Sequence, residues 1–137
     1  QARAMHQALA EAKLAPAQIQ YINAHGTATD AGDMVETQSI RTVFGAAAES
    51  VAVSSTKSMH GHLIGAAGAL EFAISLEALR SGSLPPTAYL DVPDPRCDLD
   101  YVAREARHGV AVEAVMSNSF AFGGTNVSLV ARRYDDA

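Results

Sequence analysis

The sequence has one cysteine among its 137 residues, no cluster of basic residues and no long uninterrupted apolar run. The single cysteine, Cys97, excludes an internal disulfide and suits a reducing compartment, so we expect a cytoplasmic protein. The formal net charge of −5 argues against nucleic acid and against an anionic membrane surface as partners. The longest apolar stretch, residues 63–79, is interrupted by Glu71 and Glu77, so we do not expect it to span a membrane.

Length and composition fit one folded domain. A chain of 137 residues can build a real core, and its hydrophobic content of 48% is ordinary for a globular protein. We therefore interpret residues 1–137 as a single domain. The sequence shows no signal-peptide pattern and starts with Gln rather than Met, so we expect the chain to begin partway through a longer protein.

Helix and strand signals alternate along the chain. Periodic apolar residues predict a first helix that ends near Pro16, and the capping-box spacing of Asp33 and Glu36 predicts a second helix that ends at Phe44. The other predicted elements are strands over residues 19–25, 51–54, 110–120 and 127–132 and a helix over residues 62–80. This order predicts an α/β fold with a mixed sheet flanked by helices, whose last strand runs antiparallel.

The helix predicted over residues 62–80 is apolar on all sides rather than along one stripe. Such a helix belongs in the middle of a larger body. A chain of this length can hardly surround it, so we expect a partner surface to cover part of it. An isolated chain is expected to associate with itself through the uncovered part.

Two histidines stand at breaks in the predicted elements. His25 ends a strand and is followed by Gly26, while Thr27 and Thr29 offer hydroxyl groups to a polar ligand chain. Considered alone, His25 is explained equally well as a partly buried histidine in a tight turn. His62 is predicted at a helix start, where the dipole disfavours an imidazolium, so we expect a neutral ring that donates a hydrogen bond.

Two charged residues flank His62 in the sequence. Lys57 lies in the preceding loop, where it would add a positive field and orient carboxylates. Glu71 stands on the apolar helix and needs a charged or hydrogen-bonding partner if it is buried, and Lys57 is a candidate for that partner. The alternative is a solvated loop lysine, which base rates alone favour.

The segment Phe122-Gly-Gly-Thr-Asn has a structural and a functional interpretation. As structure, it is a tight hairpin turn whose glycines take positive φ values. As function, its glycines expose backbone N–H groups that hold an oxyanion, with Phe122 as a gate. The turn alone favours the structural interpretation.

A metal site is the obvious competitor for His25, His60 and His62. Two of these residues are two positions apart, and no carboxylate or cysteine joins them at a ligand spacing. Residues two apart on a helix face different sides. We therefore predict no metal site.

Four blocks of the sequence together resemble the C-terminal part of a β-ketoacyl-acyl carrier protein synthase, a condensing enzyme of the thiolase-like superfamily. The resemblance is greatest to the fatty-acid elongating type (ketosynthase II) and its polyketide relatives, and it covers essentially the whole chain. The blocks are Asn23-Ala-His-Gly-Thr-x-Thr-x-x-Gly-Asp-x-x-Glu36, Ser55-Thr-Lys-Ser-x-x-Gly-His-x-x-Gly-Ala-Ala-Gly68, Pro95-x-Cys-Asp-x-Asp-Tyr101 and Asn118-Ser-Phe-x-Phe-Gly-Gly-Thr-Asn126. The implied fold is the C-terminal half of a thiolase-like fold, with one central apolar helix.

The resemblance implies a decarboxylating Claisen condensation in fatty-acid or polyketide synthesis. Malonyl-acyl carrier protein loses carbon dioxide, and the resulting carbanion attacks an acyl chain held on a cysteine. In that picture His25 and His62 match the catalytic histidines that hydrogen-bond the thioester carbonyl. Lys57 matches the lysine that organises the site, and Glu71 matches its acidic companion.

The resemblance also implies binding residues and partners. Thr27 and Thr29 match threonines that contact the phosphopantetheine arm, and Phe122 matches a gating phenylalanine beside the nucleophile. The arm arrives on the acyl carrier protein, so no resident cofactor is implied. The implied partners are acyl carrier protein with its acyl or malonyl thioesters, the missing N-terminal half of the enzyme, and further copies in a homo-oligomer.

Three departures from the family pattern qualify this picture. The family's nucleophilic cysteine lies in the preceding half, and Cys97 matches a non-catalytic position. His60 stands where many members carry threonine, and Ala121 replaces a glycine between two phenylalanines.

Without the nucleophile we expect the isolated chain to be inactive. The alternative is a non-catalytic partner subunit of the chain-length-factor type, against which the two histidines and Lys57 argue.

Overall fold

The computed structural model describes residues 1–134. These residues form four α-helices and five β-strands, joined by short 3-10 turns and loops. The helices are α1 (Ala2–Ala12), α2 (Asp30–Phe44), α3 (Lys57–His60) and α4 (Ala67–Ser81). The strands are β1 (Tyr21–Asn23), β2 (Ala52–Ser54), β3 (Asp100–Tyr101), β4 (Ala114–Phe120) and β5 (Asn126–Arg132).

The strands form one mixed sheet in the order β3-β2-β1-β4-β5. Strands β3, β2, β1 and β4 are parallel, and β5 is antiparallel to β4. This confirms the predicted α/β fold and its antiparallel last strand. In the register, Asn23 at the end of β1 lies between Ser54 at the end of β2 and Ser117 of β4, so β1 and β2 end together while β4 continues to Phe120. The loops that follow β1 and β2 therefore start side by side.

Strand β3 was not predicted, and three strands are shorter than expected, β2 by a single residue. Strand β3 is only two residues long and lies in the proline-bearing connection, where no alternation marks it. Strand β1 covers Tyr21–Asn23 of the predicted 19–25, and β4 starts at Ala114 rather than Val110. The backbone N–H of Val110 instead donates to Gly82 O at 3.0 Å, which ties this segment to the end of α4.

Helix α2 begins at Asp30, three residues before the predicted start, and the predicted capping box is wrong. The side chain of Glu36 does not return to the helix backbone but accepts hydrogen bonds from the backbone N–H groups of His25 and Gly26. The reason is tertiary: Glu36 lies on the buried face of α2, against the loop that follows β1. The predicted end of the helix at Phe44 is confirmed.

The predicted helix over residues 62–80 begins later than expected, at Ala67. Gly61 has φ +73° and Ile64 has φ +50°, which a right-handed helix does not accommodate. Residues 57–60, expected as a loop, instead form the single turn α3. The predicted end near Gly82 is confirmed, with φ +68° in the left-handed cap conformation that glycine favours.

Helix α4 buries two polar residues and leaves apolar residues uncovered. Its buried positions include Glu71 and Ser75, which face the sheet. Apolar residues on its other sides remain partly or fully accessible, among them Leu70, Phe72, Ile74 and Leu76. Exposed apolar surface of this kind is typical of an interface. The arrangement agrees with the expectation of a helix that needs a partner surface.

The core has two parts, one on each face of the sheet. One packs α1 and α2 against the sheet through residues such as Met5, Leu9, Ile40 and Phe44. The other lies on the α4 face around Tyr21 and Leu79. Within residues 1–134, none of the helices is both long and apolar enough to cross a lipid bilayer.

Candidate active site

The candidate site lies where the loops after β1 and β2 meet. His25 follows β1 by two residues, and its ring forms an edge-to-face pair with the ring of His62, with 5.7 Å between centroids and 83° between planes. The ring of Phe120 at the end of β4 lies 6.0 Å from that of His25. The fold thus brings together two histidines that are far apart in the sequence.

The His25 ring is held in its neutral form. Burial, the positive charge of Lys57 and the neighbouring His62, in that order of importance, together lower the pKa of His25 from 6.5 to about 4. A neutral imidazole carries a proton on one nitrogen and can therefore donate one hydrogen bond. At ordinary pH His25 is thus a hydrogen-bond donor without a charge.

A backbone hydrogen bond orients the ring of His62. His62 lies in the loop between α3 and α4, not at the start of the helix, so the predicted dipole effect does not apply. The N–H of Ile64 donates to Nδ1 of His62 at 3.1 Å. Because Nδ1 accepts, the proton of the neutral ring is on Nε2. The His62 ring therefore also presents a donor nitrogen.

Glu36 fixes the backbone on which His25 stands. Its Oε1 accepts from the N–H of His25 and its Oε2 from the N–H of Gly26, both at 2.9 Å. Asn118 at the end of β4 donates to the same carboxylate at 3.2 Å. Burial raises the pKa of Glu36, while these three N–H groups act in the opposite direction. A buried carboxylate with three donors is a rigid support for the His25 loop.

Lys57 and Glu71 form the ion pair that the sequence suggested. Nζ of Lys57 lies 2.5 Å from Oε1 of Glu71, and the two side chains are only 6% and 1% exposed. Among the described residues, neither group has a further hydrogen-bond partner. The pair joins the loop after β2 to the sheet-facing side of α4, and its lysine adds positive potential beside His25.

Thr27 and Thr29 line the entrance to α2, next to His25. Their hydroxyl oxygens are 3.3 Å apart and solvent-accessible. The side chain of Thr29 lies against the backbone of Gly32 in α2. A larger residue does not fit at position 32, because its Cβ would collide with Oγ1 of Thr29. The two hydroxyls therefore sit on a defined backbone, hydrogen-bonded to each other and accessible to solvent.

Phe122 projects fully into solvent at the turn between β4 and β5. Gly123 and Gly124 have φ values of +79° and +84°, which confirms the prediction of positive φ at both glycines. Ala121 is extended, with φ −134° and ψ 160°, a conformation that any residue adopts. The turn holds Phe122 two residues beyond Phe120, which contacts the His25 ring.

The comparisons with known proteins identify the family. Residues 1–91 match the family described as beta-ketoacyl synthase, C-terminal domain. The chain belongs to the β-ketoacyl synthase family. It is 53% identical over 132 residues to 3-oxoacyl-[acyl-carrier-protein] synthase 2 of Coxiella burnetii and 47% identical over 132 residues to the protein of that name from Synechocystis. Each match covers 96% of this chain and 32% of the relative, so the chain spans about a third of the length of these relatives.

Solved ketosynthase structures have the same fold. A β-ketoacyl synthase from Burkholderia phymatum matches with a TM-score of 0.91 and 48% identity over 98% of this chain and 32% of that one. The ishigamide ketosynthase/chain length factor matches with a TM-score of 0.93 and 37% identity over the same shares. The predicted fold class is thereby confirmed: this chain has the C-terminal half of the thiolase-like fold.

A cavity lies behind the His25 loop. It measures about 140 Å³ and is lined by α2, by the ends of β1 and β2, and by residues 87–97, including Cys97. The rings of His25 and His62 do not line it. Across residues 1–134, no three His, Cys, Asp or Glu side chains come together in a way that would hold a metal ion.

Sequence reasoning named the histidines and the ion pair but missed their supports. Glu36 was interpreted as part of a helix cap, although a carboxylate on the buried face of a helix already needs a partner. Asn118 and Phe120 were quoted within a family block without a role. Hydrogen bonds from β4 to α2 link positions 82 residues apart, and no local pattern predicts them.

Proposed function

We propose that the full-length protein carrying these residues is a 3-oxoacyl-acyl carrier protein synthase of fatty-acid or polyketide synthesis. It joins an acyl thioester to malonyl-acyl carrier protein and releases carbon dioxide. The observation that carries the proposal is the pair of imidazole rings at the meeting point of two loops, one uncharged because of burial and one oriented by a backbone N–H. The names of the relatives at 53% and 47% identity support it.

The two histidines would act on the oxygen of the malonyl thioester. When the carbon–carboxylate bond breaks, carbon dioxide leaves and the electron pair enters the thioester as an enolate. N–H donors from His25 and His62 stabilise the negative charge on that oxygen. The enolate carbon then attacks the acyl thioester on a cysteine, a carbon–carbon bond forms and the cysteine thiolate leaves.

The remaining site residues keep these donors in place. Lys57 contributes to the lowered pKa of His25, so it helps to keep that ring neutral. Glu71 balances the charge of Lys57 in a site from which water is largely excluded. Lys57 and Glu71 are therefore proposed as the electrostatic support of the site. We assign no nucleophile to this chain, because Cys97 lines the cavity behind the loop rather than the histidine pair.

Thr27, Thr29 and Phe122 are proposed to handle the incoming substrate. The accessible hydroxyls beside His25 suit the amide-bearing phosphopantetheine arm that acyl carrier protein brings. The exposed ring of Phe122 suits a gate beside the acyl chain. In this proposal the chain needs no resident cofactor, because the arm belongs to the carrier protein.

We further propose that the uncovered face of α4 packs against an N-terminal region of the same enzyme. That face carries apolar residues such as Leu76, and the adjoining loop exposes Ile64. The relatives are about three times as long as this chain, which leaves ample sequence to supply the covering surface and the cysteine. Residues 1–137 alone are expected to be inactive and to self-associate, and the full-length protein is expected to be a homo-oligomer.

The test is a condensation assay on the full-length protein with an acyl-acyl carrier protein and malonyl-acyl carrier protein. Mass spectrometry should detect the 3-oxoacyl product and a transient acyl-enzyme. Cys97→Ser is the matched control and should retain the activity. A full-length protein that is folded, binds carrier protein and forms neither product nor acyl-enzyme would refute the proposal.

A non-catalytic partner subunit is the second candidate function. Two of the matching structures contain a ketosynthase with its chain length factor, one of them at 40% identity over 94% of this chain. A subunit without chemistry has no need for His25, His62 and Lys57, so the enzyme is the favoured reading. To test the partner role, a second ketosynthase subunit is added to the condensation assay. If condensation occurs only after this addition and only the added subunit is acylated, the partner role is supported instead.

A further inference from the structure

The proposed mechanism gives His60 no role. Its ring closes the single turn of α3. Nδ1 lies 2.7 Å from the carbonyl oxygen of Gly61, and Nε2 lies 3.1 Å from Oγ1 of Thr56. A four-residue helix has little stability of its own, so contacts at both of its ends decide its geometry.

These two contacts define which nitrogen of His60 carries the proton. A backbone carbonyl only accepts, so Nδ1 must donate its proton to Gly61 O. In the neutral ring, Nε2 then has a lone pair and accepts the hydroxyl proton of Thr56. His60 is thereby fixed in the form protonated on Nδ1, the opposite of the form deduced for His62.

The direction of the neighbouring hydrogen bonds follows from this assignment. Thr56 can give its single proton either to Nε2 of His60 at 3.1 Å or to Oδ1 of Asn23 at 3.5 Å, and with this form of His60 it gives it to the nearer nitrogen, so that its oxygen accepts from Nδ2 of Asn23 at 3.3 Å. The same Nδ2 group donates to the backbone oxygen of Glu71 at 3.3 Å. The side chains of Thr56 and Asn23 are buried. A continuous chain of hydrogen bonds thus links His60 through Thr56 and Asn23 to α4.

The carbonyl that His60 holds belongs to the peptide bond preceding His62. Gly61 has φ +73° and ψ −176°, a conformation that glycine adopts readily. Because glycine can adopt many others, a contact is needed to hold the peptide in this one. Fixing the carbonyl of Gly61 fixes the amide plane from which His62 projects. The His60 ring therefore fixes the peptide plane from which His62 starts, and the N–H of Ile64 orients the His62 ring itself.

We propose that His60 is a positioning residue: as the neutral ring protonated on Nδ1, it clamps the Gly61–His62 peptide and orients His62 for catalysis. The kinetic part rests on the proposed function, because it concerns the rate of condensation. The structural part, the protonation of the ring, does not depend on activity. The two parts can fail separately.

The first test is nuclear magnetic resonance of the full-length protein with ¹⁵N-labelled histidine. At neutral pH, long-range ¹H–¹⁵N correlations should show one ring protonated on Nδ1, and this signal should be absent from His60→Asn. Signals that place the His60 proton on Nε2, or on both nitrogens, would overturn the proposal. This result stands even if the protein proves to lack condensing activity, which would refute the proposed function instead.

The second test compares two substitutions that each keep one of the contacts. An asparagine amide mimics Nδ1 and can still donate to Gly61 O, whereas a glutamine amide reaches towards the Nε2 position. We expect His60→Gln to lower kcat about tenfold with little change in KM for acyl-acyl carrier protein, and His60→Asn to remain within about twofold of the parent. His6→Asn, on the exposed side of α1, is the control. Equal rates for the Asn and Gln variants would overturn the clamp.

Discussion

The ammonium group of Lys57 lies 2.5 Å from a carboxylate oxygen of Glu71, and this buried contact connects the loop after β2 with α4. Both charges are removed from water, which is costly unless each compensates the other. Loss of one partner therefore leaves an unpaired charge inside the protein. The pair is a structural element as well as an electrostatic one.

Lys57→Met should destabilise the protein strongly. The substitution leaves the Glu71 carboxylate buried without its counter-charge, at a cost of about 3–5 kcal/mol in the free energy of unfolding. Urea unfolding of the full-length protein measures this loss. Lys13→Met, at the exposed end of α1, is the control and should have little effect. An unchanged unfolding midpoint in Lys57→Met would show that the ion pair does not form.

The double variant Lys57→Met/Glu71→Leu separates folding from function. Because apolar residues of similar volume often replace a buried ion pair without loss, the double variant should recover most of the stability lost in Lys57→Met. Condensation should nevertheless stay low, since the positive charge beside His25 is gone. Recovery of both stability and full activity would mean that Lys57 acts only in packing.

Glu36→Gln should loosen the loop that carries His25. A neutral amide presents an N–H where the carboxylate accepted one, so either the His25 or the Gly26 N–H loses its partner. The expected loss in unfolding free energy is about 1–3 kcal/mol. The midpoint temperature of thermal unfolding and kcat should both fall in Glu36→Gln, whereas the exposed control Glu105→Gln should change neither quantity. Full retention of both in Glu36→Gln would contradict the role of this carboxylate.

His25 should remain uncharged well below neutral pH. Its pKa in the folded protein, about 4, lies below the ordinary value of 6.5. Between these values the unfolded chain binds more protons than the folded one, so the contribution of His25 to stability is complete above about pH 6.5 and is lost as the pH falls towards 4. Nuclear magnetic resonance should find the ring neutral at about pH 5.5. A titration midpoint near the ordinary value would contradict the burial of the ring.

The same shift predicts a change in acid sensitivity. His25→Asn removes the titrating group, so its unfolding midpoint should fall less than that of the parent between about pH 7 and pH 5. Urea titrations at the two pH values provide the comparison. The exposed control His6→Asn should retain the acid sensitivity of the parent. An equal fall in the parent and in His25→Asn would show that His25 is not the group responsible.

Ala121→Gly should change the rate at which the enzyme accepts an acyl chain. Ala121 is extended and unstrained, and glycine at this position would give the backbone beside Phe122 more freedom. We expect the rate of acyl transfer to the enzyme to change by about two- to fivefold, with malonyl decarboxylation unaffected. Rapid-quench mass spectrometry separates the two steps, and Ala17→Gly serves as the control. An unchanged acyl-transfer rate would remove the proposed restriction on Phe122.

Much of the fold was predictable because its signals are local. The periodic apolar residues of α1, the glycine after α4 and the hairpin of β4 and β5 were all visible in short windows of sequence. Strand β3 was not, because a two-residue strand shows no alternation. The start of α4 was placed too early because Ile64 takes a positive φ value that its residue type does not predict.

The residues proposed for the site could be named from the sequence, but their contacts could not. The two histidines and the Lys57–Glu71 pair stood out by residue type and position. The neutral ring expected for His62 rested on a helix dipole, but the residue lies in the loop before α4, where a backbone N–H orients the ring. The role of Glu36 needed the fold, because its partners lie on a loop that only the parallel pairing of β1 and β2 brings beside α2.

The most direct test of the account is to measure acylation and malonyl decarboxylation separately in His25→Ala and His62→Ala of the full-length protein, with His6→Ala as the control. Both variants should still accept an acyl chain, because that step uses a nucleophile elsewhere. Release of carbon dioxide from malonyl-acyl carrier protein should fall about 10²- to 10³-fold, since each variant loses a donor to the enolate oxygen. Decarboxylation at the parent rate in either variant would contradict the claim that this histidine pair stabilises the enolate.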